Sequence, residues 1–129
     1  MRVLELGKFY PPQRGGMESS LRDLARGLVA RGHEVEALVA SADTDHHLEV
    51  RDRVRVERVP RFGSFRSVSI CPGLPAAVAR ARRRFRPDVV HVHLPNPAAA
   101  VAWMMAGGDE PLVVSYHSDI VRQRWLGWA

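Results

Sequence analysis

Apolar residues along this chain recur with two periods, one typical of buried strands and one of amphipathic helices. Short runs rich in valine and leucine predict strands, and apolar residues at steps of three and four predict helices. The predicted strands cover residues 3–6, 34–40, 54–59, 88–93 and 112–116. The predicted helices cover residues 17–31, 74–86, 98–106 and 119–128. Residues 41–53 and 60–72 are polar or rich in glycine, serine and proline, so both are expected to be loops.

The alternation of strands and helices indicates an α/β fold. Valine-rich strands of this kind pair in parallel and are covered by helices on both faces. Right-handed crossovers then predict a Rossmann-like, doubly wound parallel sheet in the order 3-2-1-4-5, with the predicted strands numbered along the chain. Ligands bind such sheets beyond the carboxyl ends of the strands, where the strand order reverses. The loops after the first and fourth strands are therefore expected to carry the site.

The composition is that of one soluble globular domain. The 129 residues are 46% apolar and 26% charged, which argues against disorder. Apolar runs fall short of the roughly 20 residues that span a bilayer, and the amino terminus lacks a signal-peptide pattern. Cys71 is the single cysteine, so no internal disulfide and no cysteine-based zinc site are predicted. A cytoplasmic location is expected.

The net charge of +5 is carried almost entirely by arginine. The densest cluster, called the arginine face below, consists of Arg80, Arg82, Arg83, Arg84 and Arg86. Leu74, Val78, Ala81 and Phe85 recur at helical spacing in the same segment, so the arginines fall mainly on other sides of the helix. A solvated helix face is the expected interpretation, with peripheral contact to anionic lipid at the inner face of the membrane as the alternative. No aromatic residues interleave with the arginines, so nucleic acid is not expected as a partner.

Gly15 and Gly16 precede the first predicted helix, in a loop that also holds Lys8 and two prolines. Glycines let the backbone approach a ligand closely, and a helix start presents unpaired N–H groups to a phosphate or sugar oxygen. The dinucleotide-binding fingerprint Gly-x-Gly-x-x-Gly is absent. Spacing alone leaves a tight turn and an anion site equally open, and Lys8 with the prolines favours the ligand site.

His91 and His93 lie two residues apart on the fourth predicted strand, so they share one face and could chelate a metal. The sequence shows no cysteine and no carboxylate at a matching position, so no metal site is predicted. His91 is expected to be buried and hydrogen-bonded, and His93 is expected to line the cleft with Asn96 in the following loop. The adjacent histidines at 46 and 47 lie in a polar segment and are expected to be solvated.

His117 ends the fifth predicted strand beside Ser118 and Asp119. A histidine there can hydrogen-bond a sugar hydroxyl or stabilise charge near a reaction centre. Without further context, a helix cap formed by Ser118 or Asp119 beside an incidental histidine is the stronger interpretation.

Several segments carry a resemblance that covers nearly the whole chain. They are residues 4–12 leading into 15–18, residues 24–28 before 31–35, residues 87–93 and residues 116–119. In this order and spacing they resemble the amino-terminal domain of retaining GT-B glycosyltransferases of family 4. The Gly-Gly loop, the Arg-Gly-His-Glu-Val segment and the strand-end histidine together carry the likeness.

The resemblance implies two Rossmann-like domains around a cleft, in which a sugar passes with retention from a nucleotide-diphosphate donor to a glycan or lipid-linked acceptor, as in polysaccharide biosynthesis. By that resemblance Gly15 and Gly16 would lie against the donor diphosphate or the acceptor, and His117 would be catalytic, facing the transferred sugar. The other predicted substrate-binding residues are Lys8, His93, Asn96, Ser118 and Asp119. Neither a metal nor another cofactor is expected.

The chain departs from the family in its length. Residues 1–129 match the acceptor-side domain, without the second domain whose paired glutamates grip the donor. We therefore expect these residues alone not to transfer sugar, and we expect the tail bearing Trp125, Leu126 and Trp128 to self-associate. The alternative function is a non-catalytic Rossmann-like module that binds a phosphorylated small molecule or a protein partner.

Overall fold

The computed structural model describes residues 1–12, 16–66 and 68–116. The strands are β1 (Arg2–Leu6), β2 (Glu34–Ala40), β3 (His47–Arg51), β4 (Val54–Val59), β5 (Ser64–Phe65), β6 (Val68–Ser69), β7 (Val89–Leu94) and β8 (Leu112–Tyr116). The helices are α1 (Gly16–Ala30), α2 (Leu74–Phe85) and α3 (Pro97–Met105). Within the described ranges, no helix is both long enough and apolar enough to cross a bilayer. The predicted helix over 119–128 lies outside them.

The central sheet has six strands in the order β3-β4-β2-β1-β7-β8. All neighbouring pairs are parallel except β3 with β4. The predicted α/β class with a mostly parallel sheet is therefore confirmed. The predicted order 3-2-1-4-5 is not fully confirmed, because it describes the five parallel strands and omits the antiparallel strand β3 at the edge.

Strand β3 lies in a segment predicted to be a loop. Asp52 and Arg53 join it to β4 through a two-residue turn, with φ of 51° and 64°. A two-residue hairpin turn with positive φ at both positions usually contains Asn-Gly or Asp-Gly, and neither dipeptide occurs here. Leu48 and Val50 are 51% and 71% exposed, so β3 also lacks the buried apolar positions by which a strand is predicted from sequence. The predicted loop over 60–72 likewise contains a short antiparallel pair, β5 with β6.

Apolar side chains pack on both faces of the sheet, because successive strand residues point to opposite sides. On one face α1 packs Leu21 and Ala25 against the cluster that contains Val3 and Val56. On the other face α2 and α3 pack against the strands, and the cluster there includes Leu4, Leu38, Leu74, Val78, Val90 and Ala102. Because helices cover both faces, a ligand site can form only in the loops at the ends of the strands.

Candidate functional site

The strand order reverses between β1 and β7. A ligand is therefore expected beyond the carboxyl ends of these two strands. β1 pairs with β2 on one side and with β7 on the other. The chain leaves β1 through α1 on one face and reaches β7 through α2 on the other. The loops that follow β1 and β7 therefore leave the sheet at the same carboxyl edge.

Lys8 stands at the start of the loop after β1. The Gly7 N–H donates to the carbonyl of Leu38 at 3.2 Å, and the Ala40 N–H donates to the carbonyl of Lys8 at 2.9 Å. These bonds hold the start of the loop against β2. The Lys8 Nζ lies 5.9 Å from the centroid of the Phe9 ring, and the Arg61 Cζ lies 5.7 Å from it. Two cations therefore flank one aromatic ring beside the carboxyl end of β1.

Gly16 is the first residue of α1 and is exposed. A Cβ added there would meet no atom of the described residues within 4 Å. Glu18 is buried in the first turn, where the positive end of the helix favours a carboxylate. The start of α1 is thus open to solvent at the expected edge. Gly15, predicted to be its partner, lies outside the described residues.

Asn96 is the N-cap of α3. Its side chain is buried, and its Oδ1 accepts a hydrogen bond from the Ala99 N–H at 3.4 Å. Capping of this kind satisfies a helical N–H that would otherwise have no partner. The position of Asn96 is thereby explained by the helix, and its contact with a substrate stays a prediction.

His93 is 2% exposed, and its Nε2 lies 2.7 Å from Glu5 Oε1. The Nδ1 of His91 lies 3.0 Å from the same oxygen, and its Nε2 lies 2.7 Å from Ser115 Oγ. His91 is hydrogen-bonded as expected, with a side chain that is 12% exposed, and His93 is the more deeply buried of the two histidines. A substrate contact of His93 stays a prediction.

Glu5 is the residue that sequence reasoning missed. It is fully buried and stands opposite His91 in the β1–β7 register. Burial by itself raises the pKa of the Glu5 carboxyl, but hydrogen bonds from His91 and His93 outweigh it and hold that pKa below its usual value. A carboxylate therefore does match the two histidines, contrary to the prediction from the sequence. The available signal was an acidic residue inside an otherwise apolar strand.

The remaining predicted site residues, His117, Ser118 and Asp119, lie outside the described residues, as do Trp125, Leu126 and Trp128 of the tail. β8 ends at Tyr116, which pairs with Leu94 of β7. The last described residue of β8 is thus at the same carboxyl edge of the sheet. The roles of the three site residues and the self-association of the tail stay predictions.

An apolar cavity of about 480 Å³ lies where β6 and the starts of α2 and α3 meet. Its lining includes Ile70, Cys71, Leu74, Pro97, Val101 and Met105. Burial raises the pKa of the Cys71 thiol, and the nearby Arg61 lowers it by less. The loop after β4 and the start of α3 both belong to the carboxyl edge, so this cavity adjoins the expected site.

The arginine face is largely paired with carboxylates. Arg80 Nη2 lies 3.3 Å from Glu57, Arg82 Nε lies 2.9 Å from Glu110, and Arg84 Nη2 lies 2.6 Å from Glu36. Arg83 and Arg86 make no ion pair with the described residues. The arginines expected to form a solvated helix face are thus partly ion-paired, and lipid contact stays an alternative.

The two histidines of the polar segment each contact a carboxylate. His46 Nε2 lies 2.8 Å from Glu57 Oε2, and His47 Nε2 lies 3.0 Å from Asp43 Oδ1. Their side chains are about half exposed. Both histidines are therefore exposed to solvent as expected, and each also contacts a carboxylate.

A mostly parallel sheet covered by helices, with loops gathered at one carboxyl edge, defines a Rossmann-like domain. Sucrose-phosphate synthase from Thermosynechococcus elongatus shares this fold, with a TM-score of 0.68 and 18% identity over 91% of this chain and 33% of that chain. The sequence pattern of Glycosyltransferase Family 4 matches residues 14–129. This chain belongs to glycosyltransferase family 4, which confirms the resemblance.

Known relatives are similar to this chain over part of their length. The GDP-mannose-dependent alpha-mannosyltransferase of Mycobacterium tuberculosis is 38% identical over 133 residues, covering 93% of this chain and 33% of the relative. A GDP-mannose-dependent alpha-(1-6)-phosphatidylinositol dimannoside mannosyltransferase of that organism is 33% identical over 96 residues, covering 71% and 24%. The O-antigen chain mannosyltransferase C of Escherichia coli is 29% identical over 132 residues, covering 98% and 34%. The chain thus spans about a quarter to a third of the length of these relatives.

Proposed function

We propose that this chain is the acceptor-side domain of a glycosyltransferase that moves a sugar, with retention, from a nucleotide-diphosphate donor to a glycan or lipid-linked acceptor. The observation that carries the proposal is the family match over residues 14–129. The open carboxyl edge between β1 and β7 supports it, because Rossmann-like sheets bind their ligands there.

The donor diphosphate meets the loop after β1 in this proposal. Lys8, Arg61 and the open start of α1 bring positive charge to that loop. Fixed positive charge of this kind stabilises a leaving diphosphate where no metal ion takes part. His117 faces the transferred sugar as the catalytic residue, and Ser118 and Asp119 contact its hydroxyls.

The acceptor lies at the apolar cavity beside α3. A groove lined by Leu74, Val101 and Met105 suits the hydrocarbon part of a lipid-linked acceptor better than a free glycan. GDP-mannose is the donor that we propose first, because two of the relatives are named as GDP-mannose-dependent mannosyltransferases.

We propose that transfer requires a donor-binding domain in addition to residues 1–129. The chain corresponds to only 33% of the M. tuberculosis alpha-mannosyltransferase, so most of that relative lies outside the match. We propose that residues 1–129 alone neither transfer nor hydrolyse the donor sugar.

A chimera tests the proposal. Residues 1–129 are joined to the unmatched remainder of the M. tuberculosis alpha-mannosyltransferase, and transfer of labelled mannose from GDP-mannose to extracted lipid and to glycan acceptors is measured. We expect transfer by the chimera, none by residues 1–129, and a loss of about 10²–10³-fold in kcat for His117→Ala. Turnover by the 129-residue chain would contradict the two-domain requirement.

Gly16→Ala separates a ligand role from a structural one. Its Cβ meets no described protein atom within 4 Å, so the fold should tolerate it while a ligand held against the backbone would not. We expect a higher KM for GDP-mannose in the chimera, with Gly27→Ala in the same helix as the matched control. An inactive chimera, with a phosphorylated small molecule still bound by residues 1–129, would favour the non-catalytic binding module.

A further inference from the structure

We propose that Glu5, His91 and His93 form a binding site for one divalent transition-metal ion of the zinc class. Two imidazoles and one carboxylate are a ligand set that Zn²⁺ accepts in proteins. The site lies on one face of the sheet, near the carboxyl ends of β1 and β7, where we propose that the sugar substrates bind. The proposal goes beyond glycosyl transfer and is independent of it.

Three potential ligand atoms converge at one point of the sheet. Glu5 Oε1 lies 3.0 Å from His91 Nδ1 and 2.7 Å from His93 Nε2, and the ligand atoms lie within 4.8 Å of one another. Tetrahedral bonds of about 2.0–2.2 Å to zinc place neighbouring ligand atoms roughly 3.4 Å apart. The contacts of Glu5 Oε1 with His91 and His93 would have to lengthen by about 0.4 and 0.7 Å, respectively, for an ion to replace the shared protons.

The backbone holds these ligands in a fixed arrangement. His91 and His93 are two residues apart on β7, so their side chains leave the same face of the sheet. Glu5 is the direct partner of His91 on the neighbouring strand β1. The strands are central in the sheet, and ligands on rigid elements are better pre-organised than ligands on loops.

The electrostatics of Glu5 favour a cation. The residue is fully buried, and no arginine or lysine of the described ranges pairs with it. Its Oε2 is buried and has no hydrogen-bond partner among the described residues. A buried carboxylate without a compensating charge is unfavourable. A divalent ion supplies the charge, and Oε2 offers it a further ligand atom.

His91 also has the outer partner that metal-binding histidines usually have. Its Nε2 lies 2.7 Å from Ser115 Oγ on β8 while its Nδ1 points to Glu5. A hydrogen bond at the far nitrogen orients the ring and selects the nitrogen that carries the free lone pair. The ion would thus link β1 and β7 directly, with β8 supporting the site from the next strand.

Titration of the metal-stripped 129-residue chain with Zn²⁺, followed by calorimetry, tests the site. We expect one equivalent to bind, and Co²⁺ to give the visible absorption of a site with histidine ligands. Glu5→Gln keeps the side-chain shape, and His91→Asn replaces the ring with a smaller polar group. Each should weaken Zn²⁺ binding by at least about 100-fold, and Ser115→Ala by about 10-fold. His47→Asn is the matched control, since it removes a histidine from the exposed group Asp43, Asp45 and His47.

Two results would overturn the proposal. One is wild-type binding no tighter than that of Glu5→Gln, which would mean that protons on the histidines balance the carboxylate. The other is binding that survives Glu5→Gln and disappears in His47→Asn, which would place the ion at the surface. Circular dichroism checks that each variant folds, and if a variant unfolds, the Co²⁺ spectrum of the wild-type chain decides by itself. The readout does not involve sugar transfer, so its failure leaves the proposed function untouched.

Discussion

At the scale of single residues, close approach and hydrogen bonding decide what each position tolerates. Gly7 leaves β1 directly under α1, and a Cβ there would collide with Leu21 Cδ2, whereas Gly16 faces open space. Glu5 and Asn96 are buried polar residues whose hydrogen bonds are built into the sheet and a helix cap. Chain neighbours alone do not reveal these environments.

Gly7→Ala should lower the free energy of unfolding by about 1–3 kcal/mol, because Leu21 is 1% exposed and has little room to move. Urea unfolding measures the change. Gly16→Ala is the control and should stay within about 0.5 kcal/mol of wild type. Equal stability of the two variants would show that Leu21 relaxes freely.

Asp43 should titrate well below an ordinary aspartate. The Asp45 N–H, the Ser41 hydroxyl and His47 all hydrogen-bond its carboxylate, and they lower its pKa to about 2 from 3.8. Because the folded pKa is the lower one, the stabilising contribution is full above pH 3.8 and is lost as the pH falls toward 2.

Carbon-13 NMR of the Asp43 carboxyl measures that pKa. Ser41→Ala should move the midpoint back toward 3.8, since it removes one of the donors. A wild-type midpoint near 3.8 would mean that the hydrogen bonds around Asp43 do not persist in solution.

At the level of helices and strands, ion pairs connect α2 to neighbouring parts of the fold. Arg82 reaches from α2 to Glu110 just before β8, and it also donates to the carbonyl of Ala106. Arg84 reaches back to Glu36 on β2. The hydrophobic pattern predicts α2 correctly, but it does not predict the ion pairs on the charged side of the helix.

Arg82→Ala should cost about 1–3 kcal/mol of folding free energy. The Arg82 and Glu110 side chains are 19% and 15% exposed, so removing one leaves the other partly buried without its partner. Arg83→Ala, on the exposed side of the same helix, is the matched control and should change stability by less than about 0.5 kcal/mol. Denaturant unfolding of both variants decides whether the pair matters.

Gly27→Ala should stabilise the chain by about 0.5–1 kcal/mol. Gly27 is exposed in the interior of α1, and a Cβ there meets nothing within 4 Å among the described residues. Alanine lowers the entropy of the unfolded chain and favours the helix. An unchanged thermal midpoint would indicate that α1 is frayed at this position.

At the scale of the whole molecule, the net charge of +5 suggests more attraction to anionic surfaces than the structure supports. Carboxylates on β2, β4 and the segment before β8 pair with three members of the arginine face, at Glu36, Glu57 and Glu110. The positive charge of that face is therefore partly cancelled within the fold.

Binding to anionic vesicles should consequently be weak and should disappear near 0.15 M salt, where exposed charges are screened beyond about 8 Å. Co-sedimentation with phosphatidylglycerol vesicles measures it. An Arg83→Ala/Arg86→Ala variant removes the two arginines that make no ion pair with described residues. Tight binding at 0.15 M salt that this variant loses would instead establish membrane contact through the arginine face.

The α/β class, the five parallel strands and the family all follow from the amino-acid sequence alone. Hydrophobic period and motif spacing are local properties of the chain, so they can be recognised without knowing which strands are neighbours. The likeness of the Gly-Gly loop and the strand-end histidine to family 4 is local in the same sense.

Three features become visible only in the folded chain: Glu5 contacts His91 and His93, β3 pairs at the sheet edge, and the arginine face is partly neutralised. Glu5 and His91 are far apart in the chain and become neighbours through the β1–β7 register alone. β3 is held by a turn with unusual φ values and by pairing with β4 rather than by burial of its own side chains. These features depend on contacts between segments that are distant in the chain, and the hydrophobic period of each segment carries no information about such contacts.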